Sequence, residues 1–287
     1  MRPTPTALRH IWTWKMPVAA GGWTLVGASR AADATAFFIP GLRWALDAGD
    51  IVEETRPKQI FVTHTHSDHV NRTTHLKSRR CCPGLYVPES AAPMLEHYLE
   101  AGARLSANLP MSQPMDYLDP SYIMRGVRGG QFYHVEHGKH GFDVEVIDCH
   151  HTVDCVGYIF YERRPKLRPE LVGQPGTVLA QLRKQGQEIQ TIERLPQFAY
   201  LGDTRPDVFA SSPQLLDVPV VIVECTFLED AERARQTGHT SFDELLPVLR
   251  GAPEVTFVLI HLSHRHTHEQ LVDRVNAHAL SNVVVWG

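Results

Sequence analysis

Three imidazoles and a carboxylate fall within six residues at His64-Thr65-His66-Ser67-Asp68-His69, directly after the apolar run Gln59-Ile60-Phe61-Val62. An apolar run that ends in such a turn predicts a strand delivering its last residues to a site at a sheet edge. His64 and His66 project to one side if the strand continues, and Asp68 and His69 reach back from the turn. Imidazole and carboxylate together suit Zn²⁺, with Mn²⁺ or Fe also served by these ligand types. Four more apolar runs end in polar residues: His151 follows Val146-Ile147-Asp148-Cys149-His150, Asp203 follows Ala199-Tyr200-Leu201-Gly202, Glu224 closes Val220-Val221-Ile222-Val223, and His261 follows Thr256-Phe257-Val258-Leu259-Ile260. A carboxylate can bridge two cations, whereas a neutral imidazole serves one. With Asp203 shared, the seven ligands His64, His66, Asp68, His69, His151, Asp203 and His261 give two metals four protein contacts each. Such a pair would activate a water at neutral pH.

The elements that carry these ends are strands, with helices following them in both halves. Short strands are expected at Gly22–Val26, Ala36–Ile39 and Leu42–Asp47, the last ending in the polar turn Asp47-Ala48-Gly49-Asp50. A strand at 59–63 and a short one at Tyr86-Val87 follow. Glu89 to Ala103 has a helical period that puts Leu95, Tyr98 and Leu99 on one face. Residues 104–130, rich in proline and glycine, resist a regular reading. In the second half, strands are expected at Phe142–Val146, Val156–Tyr161, Phe198–Leu201, Val218–Val223 and Val255–Ile260, with residues 162–187 interrupting the pattern. Ser241 and Glu244 have the spacing of a capping box before a helix at Phe242, and Thr267 to Ala279 reads as the last helix. Strands preceding helices in both halves favour a sheet-on-sheet core with helices outside.

At 287 residues the chain can bury a substantial core, and 43% apolar with 21% charged residues is an ordinary globular balance. No apolar run reaches membrane-spanning length, so no membrane association is expected. The first residues lack the apolar stretch of a secretory signal, so an intracellular location is the default, cytoplasm first, with nucleus and organelles left open. The five cysteines form no Cys-x-x-Cys pair, so Cys81, Cys82 and Cys225 read as reduced small hydrophobes. A net charge of −4 argues against indiscriminate nucleic-acid binding but leaves room for a local basic patch.

In sequence the chain resembles the metallo-β-lactamase superfamily, and within it the short, plant-like form of tRNase Z (ribonuclease Z). The resemblance rests on His64 to His69, His151 with Gly157-Tyr158, Gly202-Asp203-Thr204, Glu224-Cys225-Thr226, Gly238-His239 and His261-Leu262-Ser263-His264-Arg265. These motifs occur in order from about residue 20 to 275. The resemblance implies an α+β, four-layer αβ/βα sandwich of two mixed sheets, formed by residues 1–287 as one domain, with two Zn²⁺ at one edge. One metal would be held by His64, His66, His151 and Asp203, the other by Asp68, His69, Asp203 and His261. His150 rivals His151; spacing to Gly157-Tyr158 and strand parity with Ile147 and Cys149 favour His151. Two departures stand out: Ser67 replaces the usual glycine, and His266 replaces the usual aromatic residue.

The activity implied is cleavage of precursor tRNA on the 3′ side of the acceptor stem, leaving a 3′-hydroxyl. Asp68 would orient the nucleophile or act as base. His239, charged and oriented by Glu224, would protonate the leaving oxygen. In this family an arm after the Gly-Tyr strand grips the tRNA body. Its counterpart, residues 162–187, carries six Arg/Lys against two Glu, although a solvated loop with an amphipathic helix is the competing reading. Arg125 and Arg128 would add phosphate contacts. A homodimer is a further family trait. The alternatives are a hydrolase of small phosphodiesters, thioesters or lactones, and a non-catalytic RNA-binding relative.

Overall fold

Along Val220-Val221-Ile222-Val223-Glu224 every residue is buried, and alternation decides which core each side chain joins. Val220 and Ile222 face the opposite sheet, in one layer with Trp44, Phe61, Phe160 and Tyr200. Val221 and Val223 face outward, under helix residues Phe242, Leu245, Leu249, Leu271 and Val275. Both faces of this strand are therefore apolar, as a strand covered on both sides must be.

The protein is described by a computed structural model that covers residues 4–5, 11–50, 52, 56–76, 82–112 and 122–287. Cys81 and the 113–121 part of the stretch expected to be irregular lie outside these residues. Among the described residues the first sheet runs in chain order through β1 (Thr4–Pro5), β2 (Trp12–Lys15), β3 (Thr24–Arg30), β4 (Ala34–Ile39), β5 (Trp44–Leu46), β6 (Gln59–Phe61), β7 (Gly84–Pro88) and β8 (Ile123–Val127). It is antiparallel as far as β5 and parallel from β5 to β8. The second sheet comprises β9 (Phe132–Val135), β10 (Phe142–Cys149), β11 (Cys155–Leu167), β12 (Gln190–Tyr200), β13 (Val220–Glu224), β14 (Thr256–Ile260) and β15 (Val283–Val285). Its β9 to β12 are antiparallel and β12 to β15 parallel.

An aromatic cluster welds the sheets together. The Trp44 ring lies 5.4 Å from Phe61, 4.9 Å from Phe142 and 5.3 Å from Phe160, between centroids, the range in which tilted and edge-on pairs attract beyond their burial. Helix Ala92–Ala107 covers the outer face of the first sheet through Leu95 and Leu99. Helices Phe242–Gly251 and His268–Ala277 cover the second. The result is the four-layer αβ/βα sandwich.

Several local expectations change. Tyr98 is 42% exposed, its hydroxyl donating to the Asn71 carbonyl at 3.3 Å, so only Leu95 and Leu99 carry that helix face inward. The stretch 104–130 contains the end of that helix and all of β8. Residues 162–187 do not interrupt the sheet at their start: β11 and β12 continue past a bulge at Phe160/Tyr161 as a two-stranded ribbon, paired out to Leu167 and Gln190. Helix Gly176–Lys184 sits at its far end. Ser241 caps its helix by accepting from the Glu244 amide, yet its hydroxyl donates back to the Glu244 carboxylate, so the box closes through side chains.

Candidate metal centre

The strand ends converge at the seam between the sheets. His64, His66, His151 and Asp203 place one donor atom each within 4.8 Å of one another, as do Asp68, His69 and His261, and also Asp203, His239 and His261. Asp203 lies between the groups. Its Oδ2 is 3.7 Å from His64 Nε2, 3.8 Å from His151 Nε2 and 3.4 Å from His261 Nε2, while Oδ1 is 3.5 Å from His69 Nε2.

Outer partners decide which nitrogen each imidazole offers. His69 Nδ1 donates to Asp47 Oδ2 at 2.8 Å and His151 Nδ1 donates to the Gly238 carbonyl at 2.8 Å. His64 Nδ1 faces Thr63 Oγ1 at 3.1 Å, and that hydroxyl is committed as a donor to Asp47. His261 Nδ1 faces Thr226 Oγ1 at 3.0 Å, and that hydroxyl is committed to Glu224. Each of these rings therefore keeps a proton on Nδ1 and turns Nε2 inward as the atom a metal would take. The inward nitrogens crowd together: His64 Nε2 and His151 Nε2 are 3.1 and 3.2 Å from His66 Nδ1, and His69 Nε2 is 3.3 Å from His261 Nε2. Two ligands on a tetrahedral zinc, each about 2.1 Å from it, are about 3.4 Å apart. Inward nitrogens at this spacing fit a divalent cation, which would take the lone pair that each offers once any Nε2 proton is lost.

The electrostatics agree. Burial, followed by the neighbouring imidazoles, holds His64 well below the usual histidine range, and burial also lowers His66 and His151. Neutral imidazole is the ligand form. Burial raises Asp68 and Asp203, but His261 and His69 outweigh it and keep both carboxyls below their ordinary value. Glu224 is fully buried and completely used. Oε1 accepts from the Thr204 amide at 2.8 Å and from His239 Nδ1 at 2.9 Å; Oε2 accepts from Thr226 Oγ1 at 2.5 Å and the Thr240 amide at 3.1 Å. Burial lowers His239, yet the Glu224 carboxylate, then Asp203, brings it up to about 9.

Known proteins place this geometry. No family model matches the chain. tRNase Z TRZ1 of Arabidopsis thaliana is 26% identical over 267 residues, spanning 89% of this chain and 91% of that protein. Ribonuclease Z of Halalkalibacterium halodurans is 26% identical over 282 residues, spanning 85% and 86%. Among solved structures, the short form of human tRNase Z superposes with a TM-score of 0.55 at 16% identity, covering 91% of this chain and 94% of that one. The metallo-β-lactamase fold protein YhfI of Bacillus subtilis also gives 0.55, at 13% identity, covering 98% and 90%. This chain has the metallo-β-lactamase fold.

Within that fold, the sequence-predicted residues His64, His66, Asp68, His69, His151, Asp203 and His261 all reach the seam, with Glu224 and His239 directly behind and beside them. His150 stands outside the clusters, its Nδ1 2.9 Å from Asp207 Oδ1. An open pocket of about 380 Å³ lies over the site, lined by His66, Asp68, Asp203, His239, Arg233 and Arg265 among others. The clusters, the metallo-β-lactamase fold and the ribonuclease Z relatives together support a metal-dependent hydrolase of the nuclease kind.

Sequence reading missed the supports. Asp47, fully buried, accepts from the Thr63 amide at 2.7 Å, Thr63 Oγ1, His69 Nδ1 and Tyr200 Oη at 2.6 Å. Its turn presses on the metal loop so closely that a Cβ on Gly49 would meet the Asp68 carbonyl at 1.7 Å. Asp47 and His261 both take left-handed backbone, φ 55° and 62°, a conformation that ordinary residues keep only where surroundings enforce it. The signal available was the buried acidic turn ending the β5 run, but nothing in it favoured Asp47 over Asp50.

Proposed function

We propose that the protein is a two-zinc endoribonuclease that cuts precursor tRNA on the 3′ side of the acceptor stem and leaves a 3′-hydroxyl. The observation that carries this reading is the pairing of buried Glu224 with half-buried His239, 2.9 Å apart beside the clusters. Hydrolysis of a phosphodiester expels a poor alkoxide leaving group, and a proton donor there is worth roughly 10²–10⁴-fold. Bound metals would supply a water of lowered pKa and neutralise charge on the phosphate.

The chain's own groups do the rest. Glu224 fixes the proton on His239 Nδ1 and keeps the ring charged, so Nε2–H is the donor available to a leaving oxygen. Asp68 stays ionised, its Oδ2 accepting from the Ala32 amide at 2.9 Å, and so can accept a hydrogen bond from the attacking water. Arg233 and Arg265 on the pocket wall offer positive charge to the phosphate oxygens.

One observation favours a smaller substrate. Four of the six arm cations are matched to carboxylates: Arg163 to Asp143 at 3.1 Å, Arg164 to Glu162 at 2.9 Å, Lys166 to Glu193 at 3.0 Å and Arg168 to Glu170 at 2.6 Å. Arg183 and Lys184, in the last turn of the tip helix, remain for a phosphate backbone. Mapping the cut on a precursor tRNA with zinc-loaded protein, beside turnover of an aryl phosphodiester, separates the readings. A single 3′ cut bearing a 3′-hydroxyl is expected; turnover of the aryl ester alone would reject the ribonuclease.

A further inference from the structure

We propose that a second cavity, at the end of the first sheet remote from the metal clusters, binds a ligand carrying two or more neighbouring phosphate groups. This does not depend on the nuclease reading. The cavity, about 830 Å³, is lined by Arg43, Arg56, Lys58, Tyr86 and Arg125, with Glu136 as its one carboxylate among the described residues. It opens where the parallel strands begin: Gln59 pairs with Gly84, and Gly84 with Ile123. His64 is five residues further along the strand direction from Gln59, roughly 16 Å away at about 3.3 Å per residue. The two sites thus occupy opposite ends of the sheet.

Its charge is unusual for this molecule. Several surface cations elsewhere are matched: Arg163, Arg194, Arg205, Arg235 and Arg274 each lie within 3.2 Å of a carboxylate. Among the described residues, no carboxylate is ion-paired with any of the four cavity cations, although the chain as a whole carries −4. Four like charges around one space repel unless an anion joins them. With Glu136 the lining carries a net +3. A phosphate group brings about −1.5 to −2 near neutral pH, so one leaves charge unanswered and two neighbouring groups match it.

The backbone beneath the cations is held in place. Arg43 Nε and Nη2 donate to the Arg56 carbonyl at 3.1 and 2.6 Å. The Lys58 amide donates to the Arg43 carbonyl at 2.7 Å, and the Gly84 amide to the Lys58 carbonyl at 3.0 Å. Arg43 has φ 57°, a left-handed backbone that a non-glycine residue keeps only where its surroundings enforce it, and it is here that its guanidinium ties the two segments. Arg56 and Lys58 therefore leave a cross-braced segment. The Arg125 guanidinium rests 5.9 Å from the Tyr86 ring centre, which restricts its orientation too. Such a surface is ready for paired phosphates, whether on a small diphosphate or as successive groups of an RNA chain.

The test uses zinc-loaded full-length protein, titrated calorimetrically with pyrophosphate and separately with a ten-nucleotide unstructured RNA. Arg56→Ala/Lys58→Ala and Arg125→Ala are compared with wild type, with thermal melting as the check on folding. Asp203→Asn accounts for phosphate held at the metal clusters. The expected result is a binding class weakened at least tenfold by the double substitution and kept by Asp203→Asn, with aryl phosphodiester turnover unchanged by the double substitution. Loss for pyrophosphate identifies a small ligand; loss for the RNA alone identifies a chain. If the double variant, folded as wild type, binds both probes unchanged, or if Asp203→Asn abolishes all binding, the proposal is overturned.

Discussion

Glu224 and His261 are joined through a single hydroxyl. Thr226 Oγ1 donates to Glu224 Oε2 at 2.5 Å and, with its proton committed, accepts from His261 Nδ1 at 3.0 Å. One buried carboxylate thus positions the proposed acid, His239, and one proposed ligand, His261. Thr226→Val keeps the shape and removes the link. It should weaken metal binding by about 10–100-fold, the usual effect of losing a ligand's outer partner, while His239 keeps its bond to Glu224. Titration with a chromophoric chelator would read this, and unchanged affinity would show that the hydroxyl orients nothing.

His239→Ala should leave both metals in place and lower kcat on precursor RNA by roughly 10²–10⁴-fold. On a nitrophenyl ester, whose leaving group needs no proton, the loss should shrink to a small factor. His66→Ala should instead reduce metal content. Elemental analysis and single-turnover rates on the two substrates distinguish these outcomes, and loss of metal from the His239 variant would reassign it as a ligand.

The pH dependence follows from the raised His239. A donor with pKa about 9 is charged below that pH and loses its proton above it. Cleavage with an alkoxide leaving group should therefore fall above about pH 9, by roughly tenfold per unit. Glu224→Gln removes the carboxylate that raises the ring and should bring the fall to lower pH. A falling limb that stays put in the Glu224 variant would assign it to another group.

Metal loading should release protons. In His69, burial lowers the ring's affinity for a proton, but the Asp203 and Asp47 carboxylates raise it to about 9. Coordination requires Nε2 free of a proton, so loading at pH 7 expels one, and apparent affinity should climb from pH 7 towards 9. Calorimetry in two buffers of different ionisation enthalpy measures the release directly.

Asp47→Ala should be the costliest single change near the site. It leaves the Thr63 amide, the His69 ring and the Tyr200 hydroxyl without their buried acceptor, at about 1–3 kcal/mol for each unsatisfied group. Tyr200→Phe removes one donor and should cost only about 1 kcal/mol. Denaturant unfolding of metal-free protein isolates this effect from metal affinity.

Much of the set that converges at the seam was legible because apolar runs ending in His, Asp or Glu advertise strand ends. β13 and β14, buried along almost their whole length and running up to Glu224 and His261, bear out that reading. The short strands Trp12–Lys15, Phe132–Val135 and Val283–Val285 were not legible, since three or four residues give no periodicity. The ribbon beyond Tyr161 was hidden for a different reason: with both faces wet, its residues alternate without an apolar signature. Asp47 depends on Tyr200, 153 positions away, and no local pattern encodes such a partner.

The clusters draw on both sheets: His64 to His69 leave the first, while His151, Asp203 and His261 leave the second. Neither cluster is complete on one sheet: His64 and His66 meet His151 and Asp203, and Asp68 and His69 meet His261. Pairing of the distant parallel strands, slow because long loops must close before contacts form, has to finish before the halves dock. In refolding, then, a metal reports the last act: its capture should lag behind the recovery of secondary structure and coincide with burial of Trp44 at the seam.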